Sequence, residues 1–121
     1  MTVSAVAGAA GATKGTAVAV DAADGGDNTL SGKDVALNAG RKADDPLGTG
    51  AISYGDATGV RANNAANTVT ADTLEISALA KAVSGNNSSA TGVLAESDGS
   101  NTLTADTLDV AAQSLGGTAT G

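Results

Sequence analysis

The chain has 121 residues, a formal net charge of −7, and neither cysteine nor histidine. Disulfide staples, thiolate or imidazole metal sites, and every Cys–His or Ser–His catalytic arrangement are thereby excluded, and the acidic balance argues against binding to phosphate backbones. The hydrophobic fraction is 41%, but with no Phe, no Trp and one Tyr it consists mainly of alanine with Val and Leu. Val, Leu and Ile make up about a sixth of the residues, a supply that leaves a free monomer marginal and predicts that neighbouring chains contribute burial.

In chain order, Met1 to Gly15 reads as an extended arm of Ala, Gly and Val. It lacks a basic leader, and Lys14 interrupts its apolar run, so the expected route out of a cell is assembly into a released particle rather than a cleaved signal. No run approaches the roughly 20 apolar residues of a membrane-spanning helix, and no membrane contact is expected. From residue 16 to 121 a single β-rich domain is predicted.

Thr16 to Asp21 (TAVAVD) alternates as a strand, and the turn cluster DAADGGDN follows. NTLSGKDVALNAG reads as further strand, then comes the loop GRKADDPLGTG with the sole proline, Pro46. Its Arg41–Lys42 pair reads as an exposed loop pair. The same grammar runs twice more, as AISYGDATGV, RANNAAN, TVTADTLEISALAKAV and then GNNSSATGVLA, ESDGSN, TLTADTLDVAAQSL.

The stretch from Asn67, NTVTADTLEISA, returns from Asn101 as NTLTADTLDVAA, identical at eight of twelve positions. A weaker echo sets Asn28, Thr29 and Leu30, then Asp34, Val35 and Ala36, against Asn101 to Leu103 and Asp109 to Ala111. One supersecondary unit used two or three times (repeats at 67–79 and 101–113) can bury a face that a single copy cannot. For residues 71–84 and 105–115 the β-branched density of Thr68, Val69, Thr70, Thr73 and Ile76 favours strands. A short helix stays open there, since Asp72 has the character of an N-cap and Gly85 of a terminator.

The most site-like segment is DAADGGDNTLSG, where Asp21, Asp24, Asp27 and Asn28 place hard oxygen ligands in one loop, as calcium requires. GGDNTLSG resembles half of the glycine- and aspartate-rich calcium repeats of secreted toxins and S-layer proteins. The carboxylates at Asp44–Asp45 and Asp106 to Asp109 read as turn and cap residues, and no glycine cluster ends in the Lys-Ser/Thr of a phosphate loop. No catalytic residue, and no cofactor beyond a possible calcium, is expected.

SGNNSSATGVLAES (84–97) and the cadence of residues 15–37 resemble the head repeats of trimeric autotransporter adhesins, a likeness that implies a trimeric β architecture. In general character, being small, acidic, poor in aromatics and rich in small residues, the chain is similar to the decoration (cement) proteins of tailed-phage capsids. That likeness implies a virion-surface location, with the major capsid protein as partner.

The combined expectation is an all-β, homo-oligomeric, trimeric and non-enzymatic structural subunit of a virion. A surface fibre or adhesin subunit is the alternative, and a calcium-dependent extracellular module the third. The interface is expected at Val3, Val6, Val18, Val20, Leu103, Leu108 and Val110.

Overall fold

The computed structural model describes residues 1–7, 15–40, 53–82 and 87–121. Along the chain lie β1 (Thr2–Ala5), β2 (Gly15–Ala23), β3 (Asn28–Gly40), β4 (Ser53–Asn63), β5 (Ala66–Lys81), β6 (Ser89–Glu96), β7 (Ser100–Leu115) and β8 (Thr118–Thr120). The protein is all-β, and no helix occurs among the described residues. Where the sequence leaves a helix open, β5 runs through residues 71–81 and β7 through 105–115, with lateral pairing between neighbouring strands and β-branched side chains that fit the pleat; residues 83–84 fall outside the described residues.

Every strand pair among the described residues is parallel. The odd strands form one sheet in the order β1–β3–β5–β7, and the even strands form another in the order β2–β4–β6–β8. Because the chain alternates between the sheets, it winds as a β-solenoid in which each coil is an even strand, a tight turn and an odd strand. The described residues make three full coils, with β1 as a partial coil at one end and β8 at the other. Thr2–Ala5 of the expected arm therefore lie on β3 of their own chain, while residues 8–14 fall outside the described residues.

The sequence repeat is the coil itself. Asn67 to Ala78 lie directly beside Asn101 to Ala112, partner by partner. The weaker echo needs a correction in its second half. Asn28, Thr29 and Leu30 stack on Asn67, Thr68 and Val69, but Asp34 stacks on Thr73 and Val35 on Leu74, so Leu37 and not Val35 shares a column with Ile76 and Val110.

β5 and β7 run to 16 residues each, and a bend is absorbed within them. On β5 the inward–outward alternation slips one step at this point: Ala71 is buried, Asp72 and Thr73 are both exposed, and Leu74 is buried again. The ladder skips Lys33, Asp72 and Asp106 at the same level.

The two sheets enclose the core. Val20 and Val60 from the even strands meet Val35, Leu37, Val69, Leu74 and Ile76 from the odd ones. Toward one edge the filling shrinks to Ala39, Ala57, Ala78, Ala80 and Ala90. That edge is where the sheets converge, for Ser53 and Tyr54 at the start of β4 pair with Ala80 and Lys81 of β5. The abundance of alanine in the sequence thus has a place: a wedge-shaped interior with Val, Leu and Ile at its wide part. The loop holding Arg41–Lys42, Asp44–Asp45 and Pro46 lies outside the described residues.

Candidate functional site: the asparagine ladder and the open ends

At the edge opposite the alanine seam, tight turns join each even strand to the next odd strand. Asp24 (φ 53°), Asn64 (φ 51°), Ser97 (φ 49°) and Asp98 (φ 64°) adopt left-handed backbone there, and all but Ser97 are residue types that tolerate this conformation well. The turns stack on one another: Asp24 N–H donates to Asn63 O (3.2 Å), Gly25 N–H to Asn64 O (2.8 Å), and Asn64 N–H to Glu96 O (3.2 Å).

Immediately after each turn stands one asparagine, and the three form a ladder along the solenoid axis. Asn28 Nδ2 donates to Asn67 Oδ1 (2.9 Å), and Asn67 Nδ2 donates to Asn101 Oδ1 (2.8 Å). Each amide also donates to a carbonyl of the preceding even strand: Asn28 to Asp21 O, Asn67 to Arg61 O and Asn101 to Leu94 O, all at 2.7 Å. The side chain therefore clips its own turn and grips the next coil at once. A shorter or charged residue cannot do both, because only a primary amide offers two donors and an acceptor at this reach. The ladder lies in the recurring Asn-Thr-Val/Leu of the sequence, where the pattern reveals the repeat but not the bond.

Of the expected calcium ligands, Asp21 is engaged by Arg61, with Nε to Oδ1 at 2.9 Å and Nη2 to Oδ2 at 2.6 Å. These bonds, and to a lesser degree the charges of Asp21 and Glu96, hold the Arg61 guanidinium above its ordinary pKa against a small loss of hydration. Each side chain is about a third exposed, at 32% and 35%, so the pair contributes on the order of 0.2–1 kcal/mol. Asp27 Oδ1 accepts from the Ala66 N–H (3.0 Å), tying the first turn to the second coil. Asp24 lies within the turn, and Asn28 is a rung of the ladder. Among the described residues no three acidic side chains gather as a metal-holding group. With Asp21, Asp27 and Asn28 engaged by protein partners, a chelator is expected to leave the melting temperature unchanged to within a degree. A drop of several degrees in a calorimetric scan would establish a structural ion.

The expected interface residues separate by depth. Val20 is buried in the chain's own core, and Val18 is half-buried on β2. Val3, Leu103 and Val110 pack against the same core from the end coils with part of their surface free. Val6 and Leu108 are exposed, at 47% and 49%. Among the described residues the large exposed hydrophobics are Met1, Val6, Leu108 and Leu115. Met1 and Val6 flank β1 at one end of the solenoid, and Leu108 and Leu115 belong to β7 at the other. Val6 and Leu108 belong to the expected interface set, whereas Met1 and Leu115 do not, since only the winding shows which coils are terminal.

At those ends strand edges are also open. Among the described residues β7 pairs only with β5 and β2 only with β4, while β1 covers just Ala36–Ala39 of β3 and β8 just Ser89–Thr91 of β6. No family model, no curated protein and no solved structure matches this chain.

Proposed function

We propose that the chain is a non-enzymatic structural subunit, a short rigid β-solenoid that joins its neighbours through the open strand edges at its two ends. The observation that carries this reading is the coincidence of unpaired edges with exposed large apolar side chains. Open edges of parallel sheet invite strand addition, and apolar surface concentrated at the same places supplies the burial that rewards it.

The two poles bear on the setting. A decoration protein clamping a virion shell needs one docking face, whereas apolar edges at opposite ends serve a row of subunits. That favours a surface fibre or similar assembly over the capsid-cement reading.

The test is mass against concentration. Light scattering on the purified chain is expected to show growth in mass as concentration rises. Leu108→Lys should weaken association by at least about tenfold, equivalent to about 1.4 kcal/mol, while costing the isolated subunit under about 1 kcal/mol, because Leu108 is already half exposed. A compact monomer across the whole concentration range, with both ends solvated, would overturn the proposal.

A further inference from the structure

The two partial coils do not occupy the same part of a layer. β1 stacks on the columns headed by Ala36, Leu37, Asn38 and Ala39, which continue through β5 to Asp109, Val110, Ala111 and Ala112. β8 stacks on Ser89, Ala90 and Thr91, in columns that lead back through Ala57 and Thr58 to Ala17 and Val18. A layer holding both strands has room for each without overlap.

From this we infer that the occupant of each end is a second copy of the same chain, joined head to tail, with β8 of one copy and β1 of the next sharing a single layer. The inference rests on the structural reading above and names its partner. In the joint, β1 of the following copy pairs in parallel with β7 of the preceding one, Thr2 beside Asp109, Val3 beside Val110, Ser4 beside Ala111 and Ala5 beside Ala112. At the same time β8 of the preceding copy pairs with β2 of the following one, Ala119 beside Ala17. Both strands, each paired on one side within its own chain, become paired on two.

Three observations support this occupant. All strands are parallel, so the two ends of the solenoid are different edges. Continuation of the ladders then requires the head of one copy on the tail of another, whereas head-to-head contact would require antiparallel pairing found nowhere among the described residues. Second, extending the β1–β3 register by one residue sets Met1 in the column of Val35, Leu74 and Leu108. Met1 and Leu108, the two most exposed large hydrophobics at 52% and 49%, then cover each other. Third, Val3 and Val110, each packed on the core with surface to spare, also meet.

Cysteine pairs read this joint directly, because the native chain has no thiol. Ser4 and Ala111 of one chain lie three ladder steps apart, about 14 Å, beyond the reach of a disulfide. Across the joint they would be adjacent, at about 4.8 Å between strands. Ser4→Cys and Ala111→Cys proteins, mixed under mild oxidation with light scattering recorded in parallel, are expected to give a mixed disulfide dimer, and the double variant a ladder of multimers. Thr2→Cys with Asp109→Cys, both at exposed positions, is the second pair should the first disturb folding.

Disulfide dimers of Ser4→Cys with itself would show head-to-head contact and overturn the joint. Concentration-dependent mass without any mixed disulfide in either pair would overturn the joint and leave the structural reading standing. Monomers throughout would remove both.

Discussion

Asn67→Ala is expected to lower the unfolding free energy by about 3–4 kcal/mol, the sum of a few buried polar groups left without partners at about 1–3 kcal/mol each less partial relaxation. Asn67 is fully buried at 0% exposure. It accepts from Asn28, donates to Asn101 and donates to the Arg61 carbonyl. Alanine removes all three bonds in the middle coil, where water does not easily replace them. The comparison that isolates the mechanism is Asn101→Ala, at the end of the ladder and only half-buried, which is expected to cost about 1 kcal/mol. Denaturant midpoints of the two variants decide the matter. Equal, small losses would mean that the ladder contributes nothing beyond its own side chains.

Gly59→Ala is expected to be nearly as damaging, for a reason of shape rather than polarity. A Cβ at Gly59 would overlap the Ile76 Cγ2 methyl and lie 2.6 Å from the carbonyl oxygen of Gly92 in the next coil. Gly59 and Gly92 sit at the level the even-strand ladder skips, between Thr58 and Val60 and between Thr91 and Val93, where the backbone turns inward over Ile76 and Val110. One obstacle is a core side chain and the other is backbone, so neither yields cheaply, and a loss of about 3 kcal/mol follows. Gly25→Ala serves as the contrast. Its added methyl meets nothing within 4 Å, but its φ of 81° disfavours a side chain, so about 1 kcal/mol is expected from backbone strain alone. A Gly59→Ala protein melting within 2 °C of the parent would show that the coils are less tightly stacked than described.

The all-β class was legible in the sequence because β-branched residues alternate in the repeated stretches, and the repeat itself was legible because Asn67 to Ala78 and Asn101 to Ala112 perform the same task in adjacent coils. The winding was not. Neighbouring coils are offset by 39 residues between Asn28 and Asn67 but by 34 between Asn67 and Asn101, so no fixed period announces a solenoid, and the first coil's echo is misaligned when read by residue type alone.

The Asp21–Arg61 pair was missed for the same reason. The two residues stand side by side on adjacent coils, while in the sequence Asp21 lies nearest to Asp24 and Asp27 and invites a metal. Val20, expected at a contact between chains, instead fills the interior. A thin wedge lined partly with alanine needs fewer bulky side chains than the composition suggested, so the shortage of large apolar groups is met partly within the chain and only its remainder is left at the ends.

Each coil meets chiefly the one above and the one below, through matching columns and the same amide clasp. Length is then a quantity that gene duplication can change without redesign: copying one unit of the middle coil would insert a new storey whose floor and ceiling already fit, with the turns free to differ in size from one storey to the next.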